Sequence, residues 1–359
     1  MRLWKRASGA VKDQNSLWQA SLSRRTALRN PDIQKAVIRA TTHQDLSLDS
    51  RHVDRVCDWV RLSPSNLKPV LWSLSRRLER TRSWPVALKG LHLLHSLLNT
   101  NIPSVRRIGR LPFDLSAFSD SSHSRPSKSW PFTSLVRAYF AFLDHKSSVV
   151  FHCYITNDGG FSIARELDLL QKLQALVDLL MQIKPQISAS ASASLVLQVM
   201  DTVIIEIYSL YSQICRGIAL VLINIYAGGK AEAAVALGIV KKATQQGEDL
   251  TFYLEFCHQI GVLNVTEFPV IDRIPDEGIR ELEQIINNFD DKLPNVHHQT
   301  ELIVVREPEE AVTGSSVGGL RTIITDDWEK FDEDLGAAKN PFGTPLVVKQ
   351  EPPDLITFL

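Results

Sequence analysis

The most constraining feature of this chain is the spacing of its apolar residues, which recur every three or four positions through most of the first 290 residues. This spacing places apolar side chains on one face of a helix, whereas the alternation typical of half-buried strands is scarce. Two segments show the pattern most clearly, and we predict that both are core-facing helices. Their stripes consist of Leu169, Leu170, Leu173, Leu176, Val177, Leu180 and Met181, and of Val196, Val199, Val203, Ile207, Leu210 and Ile214.

Further stretches repeat the helical pattern. Pro85 suits the first turn of its helix, where a missing N–H has no intrahelical partner, and Gly261 suits a helix end. We predict an all-α fold of antiparallel helices, a solenoid or bundle, with a surface loop at Ser119–Pro131 and a turn at Ser188–Ser194. The further helices are predicted at Val53–Leu62, Leu67–Thr81, Pro85–Leu98, Ser134–Leu143, Ala231–Ala243 and Glu248–Ile260.

The helical pattern ends near residue 290, and the composition changes there. Residues 291–359 are rich in acids, Pro and Gly and cannot bury enough apolar surface to offset chain entropy. We therefore predict a helical domain over residues 1–290 and a short disordered tail over residues 291–359. Charge follows the same division, because residues 1–110 hold 21 Lys and Arg against 7 Asp and Glu, and the tail holds 6 against 13.

Several classes of protein are disfavoured by composition. The formal net charge is zero, which gives no sign of a nucleic-acid partner. The basic start of the chain lacks the apolar core of a secretory signal, which predicts a cytoplasmic protein. The most apolar stretch is interrupted by Glu206, Gln213 and Arg216, so we expect membrane contact to be peripheral.

No pattern in the sequence predicts catalysis, a metal site or a cofactor. The four cysteines are far apart and form no CxxC pair, so we interpret them as reduced thiols. His92 and His95 lie three residues apart without a Cys or carboxylate at zinc-ligand spacing, and we interpret both as core histidines. The Gly228–Lys230 segment lacks the remainder of a phosphate loop, so we predict a turn between helices.

Three separated segments carry a resemblance to a known family. They are RATTHQDLSLDSRHVDRV (residues 39–56), WPVALKGLHLLHSLL (residues 84–98) and ALGIVKKATQQGEDLTFYLEFCHQIGVLNVTEFPVI (residues 236–271). Together they resemble an ANTH domain of clathrin assembly proteins, in the order that the family has them, and the short tail resembles plant members. The resemblance implies a right-handed α-solenoid of the ENTH/ANTH/VHS type, and it covers roughly residues 2–290.

The resemblance also implies a phosphoinositide site. Arg39 matches the first basic position of the family motif, and Arg51 and His52 match the last two, but Asp49 stands where a further basic residue belongs. A phosphorylated inositol ring needs several converging cations, and arginine can bind a phosphate through two hydrogen bonds. Lys12, Lys35 and Arg55 are further cations that compensate for Asp49 if they face the same surface.

The first residues suggest a second membrane contact. Apolar and basic residues separate onto two sides of a helix, as in helices that lie in a membrane interface. The alternative is that this segment is simply the first helix of the solenoid. The apolar side would consist of Leu3, Trp4, Ala7, Ala10, Val11 and Trp18, and the polar side of Arg2, Lys5, Arg6 and Lys12.

The tail holds three short motifs that resemble ligands of coat proteins. The first resembles the NPF ligand of EH domains, the second the WxxF-acidic ligand of adaptor appendages, and the third a clathrin box in which the chain end replaces the final acid. Several weak motifs on one tail gain avidity on a polymerising coat. Their residues are Asn340, Pro341 and Phe342; Trp328, Phe331 and Glu333; and Leu355, Ile356 and Phe358.

The resemblance therefore implies a clathrin adaptor at coated pits and vesicles of the plasma membrane or the Golgi, with no enzymatic activity. Its expected partners are phosphoinositide-containing membrane, clathrin, EH-domain proteins and adaptor appendages, together with vesicle SNAREs for some family members. Asp49 motivates the alternative, a helical interaction scaffold that binds anionic lipid without selectivity.

Overall fold

The computed structural model describes residues 2–121, 126–156, 160–185 and 194–262, together with Arg280, Glu283, Gln284, Ile286 and Asn287. Within these residues the regular structure is helical, with ten α-helices and two 3₁₀ turns, and no strand occurs. The α-helices are α1 (Arg2–Ser21), α2 (Pro31–Ala40), α3 (Ser50–Leu62), α4 (Leu67–Arg80), α5 (Trp84–Leu98), α6 (Pro103–Arg106), α7 (Pro126–Ile155), α8 (Ile163–Met181), α9 (Ser194–Ile223) and α10 (Lys230–Gln259). The 3₁₀ turns are Pro64–Asn66 and Ile225–Ala227.

The helices stack in chain order, each one against its neighbours. Helix α2 contacts α1, α3 and α4, α5 contacts α7, and α8 contacts α7, α9 and α10. The apolar stripes face inward and form one continuous cluster that runs from Ile33 on α2 to Cys257 on α10. This arrangement is the predicted helical solenoid, in which every helix buries its stripe against the next.

Most of the predicted helices are confirmed, but two predicted helices are a single one. Ala231–Ala243 and Glu248–Ile260 were expected to be separated, and both belong to α10. The polar residue between them, Gln246, is buried and donates hydrogen bonds to the Gln174 carbonyl and to Asp178 of α8. These bonds use its side-chain NH2 group and tie this part of the helix to α8. The helix therefore continues through the polar segment and ends before Gly261, whose φ of 86° stops it.

The predicted surface loop Ser119–Pro131 is wrong over its second half. Helix α7 begins at Pro126 and includes Pro131. Packing stabilises this turn, because the neighbouring Phe132 stacks on Trp84 with ring centroids 4.1 Å apart. These contacts offset the hydrogen bond that proline cannot donate. Of the predicted turn Ser188–Ser194, residues 188–193 lie outside the described residues, and Ser194 begins α9.

Helix α9, the most apolar long helix of the described residues, is long and apolar enough to cross a membrane by length and composition alone. However, 56% of its most apolar window is buried inside the protein. Glu206, near its middle, accepts hydrogen bonds from Lys146 Nζ at 2.6 Å and Asn99 Nδ2 at 3.2 Å. The helix is therefore a core helix of the solenoid, and its buried Glu206 carboxylate joins it to α5 and α7.

His95 completes this buried cluster. Its Nε2 lies 3.0 Å from Glu206, and its Nδ1 lies 2.8 Å from the Tyr139 hydroxyl. Since the carboxylate only accepts, Nε2 carries the proton and Nδ1 accepts from the tyrosine. Burial alone would raise the pKa of Glu206, but the hydrogen bond from His95 and the charge of Lys146 hold that pKa at about 2. His95 is thus a core histidine, as the sequence predicts.

We predict that Lys146→Met destabilises the fold by about 3 to 5 kcal/mol, because it leaves Glu206 buried without its cation. The matched control is Lys172→Met, which removes a partly exposed ion pair to Asp168 and should cost less than about 1 kcal/mol. Urea unfolding at pH 7 measures both. Equal losses in the two variants would contradict a special role for the buried pair.

Candidate functional site

The candidate site is built on the connection between α2 and α3, residues 41–49. Helix α2 ends where the Thr41 N–H bonds to the carbonyls of Val37 and Ile38, and the buried Thr41 hydroxyl donates to Val37 O at 2.6 Å. Helix α3 begins after Asp49, which caps it. We refer to residues 41–49 as the α2–α3 loop.

Two side chains from distant helices anchor the start of this loop. Asp13 of α1 accepts from the His43 backbone N–H at 2.8 Å and lies 2.7 Å from His43 Nδ1. Arg77 of α4 donates to the Thr41 carbonyl at 2.6 Å and to Asp13 at 2.8 Å. Gly9 lets α1 approach closely, since a Cβ there would lie 2.8 Å from His43 Cβ. Helices α1 and α4 therefore fix the loop from two sides.

Lys89 of α5 supports the loop from inside the protein. Its side chain is 3% exposed, and its Nζ donates to the Thr42 hydroxyl at 3.0 Å. Burial lowers the pKa of Lys89 to about 8, although the charges of Asp13, Asp49 and Asp45 oppose that shift. Gln198 of α9 fixes the far end of the loop by accepting from Leu48 N at 2.8 Å. The loop is therefore held by four helices, three of which bond to its backbone.

The predicted cations flank this anchored loop. Lys35 and Arg39 lie one helical turn apart on one face of α2, and Arg51 and Arg55 lie one turn apart on α3. The three arginines are exposed, and the Arg55 guanidinium lies 5.5 Å from the centre of the Trp59 ring. Among the residues that the structure describes, none of these four cations pairs with a carboxylate. They are available to an external anion.

Lys12 does not belong to this group. It lines a groove between α1, α2 and α4, which His43 of the α2–α3 loop also lines. Lys12 lines this groove, whereas Lys35 and Arg55 lie next to the loop on α2 and α3, and the compensating role of all three stays a prediction. Whether a cation lies next to the loop or in the groove depends on the tertiary position of its helix face. The spacing of residues within one helix does not reveal that position.

Asp49 has a structural role that explains its place in the motif. Its carboxylate accepts from the His52 backbone N–H at 3.3 Å and lies 3.2 Å from His52 Nδ1. An acid at this position satisfies a free N–H of the first turn and complements the helix dipole. Asp49 therefore caps α3 and orients His52, and its replacement by Lys would cost about 1 kcal/mol of helix stability.

Helix α1 exposes part of its apolar side. Val11 is 68% exposed and Trp18 is 64% exposed, whereas Asp13 and Ala20 are buried on the side toward the solenoid. The helix is therefore both the first helix of the solenoid and the carrier of an exposed apolar strip. The side chains of Leu3 and Trp4 and the three tail motifs lie outside the described residues.

The anchors Asp13, Arg77, Lys89 and Gln198 were missed by sequence reasoning. Lys89 offers the clearest retrospective signal, because a single charged residue within the apolar segment 84–98 needs a buried polar partner. Asp13 offers no such signal, since the residues that it binds are 30 and 64 positions away.

We predict that Asp13→Asn loosens the α2–α3 loop, because it removes the charge that both His43 and Arg77 bind. The free energy of unfolding should fall by about 2 kcal/mol, and hydrogen exchange at the His43 amide should accelerate at least about tenfold. Asp32→Asn is the matched control, since Asp32 forms an exposed ion pair with Arg25. Unchanged exchange at His43 would contradict the anchoring role.

Comparison with known proteins identifies the family of this chain. The family model of the ANTH domain matches residues 32–288. Two Arabidopsis thaliana proteins named as candidate clathrin assembly proteins are 44% and 40% identical to this chain, in both cases over the full length of both sequences. A third, from the same organism and named in the same way, is 40% identical over 80% of this chain and 82% of its own length. The chain therefore belongs to the ANTH-domain family of clathrin assembly proteins.

Proposed function

We propose that this chain is a non-enzymatic clathrin adaptor that binds phosphoinositide-containing membrane through the α2–α3 loop and clathrin through its tail. The observation that carries the proposal is the set of exposed arginines, Arg39, Arg51 and Arg55, beside a loop that four helices hold in place. A fixed loop presents these cations with little entropy left to lose on binding. The ring of His52, oriented by Asp49, lies at the start of α3 beside Arg51.

Helix α1 adds a second membrane contact in this proposal. The exposed side chains of Val11 and Trp18 enter the interface, and the basic residues that precede them in the sequence add attraction to anionic lipid. A tryptophan suits this depth because its ring is apolar and its N–H is polar. Apolar insertion and charge attraction then act together on one end of the solenoid.

The tail supplies the coat partners in this proposal. Residues 355–358 bind clathrin, residues 340–342 bind EH-domain proteins, and residues 328–333 bind adaptor appendages. The later helices of the domain bind vesicle SNAREs as cargo. We place the protein at coated pits and vesicles of the plasma membrane, with the Golgi as a second location.

Liposome sedimentation of the full chain tests the membrane half of the proposal. Vesicles with phosphatidylinositol 4,5-bisphosphate are compared with phosphatidylserine vesicles of equal charge, at two salt concentrations. We expect selective binding that falls at least about 30-fold in Arg39→Glu/Arg51→Glu, because each basic residue near an anionic surface contributes about 1 kcal/mol. The matched control Arg106→Glu/Arg216→Glu changes the same charge on exposed residues of α6 and α9.

The outcomes of this experiment separate the two readings of the site. Equal, salt-sensitive binding to both vesicles would favour the alternative, a helical interaction scaffold with a non-selective anionic-lipid surface. Binding to neither vesicle would sink the membrane half of the proposal. A loss as large in the control variant as in the loop variant would show that net charge, and not the loop, determines binding.

The tail motifs are tested by reciprocal variants of the full chain. We expect Leu355→Ala/Ile356→Ala/Phe358→Ala to lose binding to the clathrin terminal domain and to keep binding to an EH domain. Asn340→Ala/Phe342→Ala should show the opposite pattern, because each motif presents its side chains to a different pocket. Surface plasmon resonance with the two purified partner domains measures both, and loss of neither interaction would refute the motif assignments.

A further inference from the structure

A second basic feature lies beside the α2–α3 loop, whose His43 contributes to its lining. A groove of about 440 Å³ opens between α1, α2 and α4, and no acidic residue lines it among the residues that the structure describes. We refer to it as the α1–α4 groove. Its volume falls in the range of sites that hold small molecules. The cations that line it are Lys12, Arg29, Arg76, Arg77 and Arg80.

Four of these five cations have no carboxylate partner in the described part of the chain. The exception is Arg77, which is committed to Asp13 and to the Thr41 carbonyl and forms a fixed wall. Arg29 and Arg76 are exposed, and their guanidinium groups lie 5.1 and 5.4 Å from the centre of one ring, that of Trp72. One aromatic ring therefore positions two like charges at the groove, an arrangement that a shared anion would stabilise.

Two buried polar atoms in the groove lining also lack partners. Ser73 is 7% exposed and its hydroxyl forms no hydrogen bond, and Gln34 Oε1 is buried without a donor. Buried polar atoms are nearly always paired, so each such exception calls for a partner. The serine hydroxyl can donate to a phosphate oxygen, and the Gln34 oxygen can accept from a ligand hydroxyl. The groove thus offers sites for both phosphates and hydroxyls.

We propose that the α1–α4 groove binds a polyphosphorylated polyol, such as an inositol phosphate. Arg29 and Arg76 bind its phosphates, and Lys12 and Arg80 lie at the rim. Ser73 donates a hydrogen bond to a phosphate oxygen, and Gln34 accepts one from a hydroxyl of the ligand. Arginine is suited to phosphate because its planar fork donates two parallel hydrogen bonds. This site goes beyond the proposed function, since it uses neither Arg39 nor Arg51 nor His52.

The test is isothermal titration calorimetry of the full chain with soluble inositol 1,4,5-trisphosphate at physiological salt. We expect Arg29→Gln/Arg76→Gln to weaken binding at least about 30-fold, because two charge-assisted contacts are lost, and Ser73→Ala to weaken it about 2- to 10-fold. Arg106→Gln/Arg216→Gln is the charge-matched control on exposed arginines elsewhere and should bind as the parent chain does.

A second groove variant distinguishes a loss of ligand contacts from a loss of folded protein. Lys12→Gln/Arg80→Gln alters exposed side chains that form no hydrogen bond or ion pair with the described residues, and it should weaken binding at least about fivefold with an unchanged melting temperature. Unchanged affinity in both groove variants would overturn the proposal. Loss only in Arg39→Glu/Arg51→Glu would assign the ligand to the α2–α3 loop and also overturn it.

The source of the phosphate is distinguished by repeating the groove variants with vesicles that carry phosphatidylinositol 4,5-bisphosphate. A groove that takes a soluble ligand loses only trisphosphate binding, whereas one that takes a lipid head group loses vesicle binding as well. Both results support the proposal. If the loop variant alone abolishes vesicle binding while the groove variants alone abolish trisphosphate binding, the two sites are independent, and each proposal stands on its own measurement.

Discussion

The Asp13 carboxylate is the interaction on which the basic end of this protein depends. It accepts from the backbone and side chain of His43 and from Arg77, and the Asp13 and Arg77 side chains are 11% and 12% exposed. Burial alone would raise the pKa of Asp13, but the hydrogen bonds from His43 and Arg77 hold that pKa below its ordinary value. A single charge thereby joins α1, the α2–α3 loop and α4, and its Arg77 partner also forms a wall of the α1–α4 groove.

The buried charges of this solenoid fix how neighbouring helices are aligned along one another. Apolar stripes can slide along one another with little change in buried area, whereas an ion pair between fixed positions cannot. Glu206 sets α9 against α5 and α7 in this way. Such pairs add little net stability over apolar residues, and specificity of alignment is their best-attested use.

How much the sequence predicts depends on the range of the interaction. The bounds of α4 and α5 follow from apolar stripes and from Pro85, which are local signals. The polar segment before Glu248 suggested a break because the partners of Gln246 lie on α8, about 70 residues away in the chain. In the candidate site the exposed Arg39 and Arg51 were found through a motif. Of their supports, Asp13 acts across distant helices and leaves no local pattern, whereas Lys89 is visible only as a lone charge in an apolar segment.

Asp49 gives the start of α3 an anion of its own. The first-turn N–H of His52 and the His52 ring both face this carboxylate, so the helix end is occupied before any ligand arrives. A phosphate that approaches this end meets an internal competitor at an effective concentration fixed by the fold. The capping residue therefore raises the anion density that is needed to occupy this helix end.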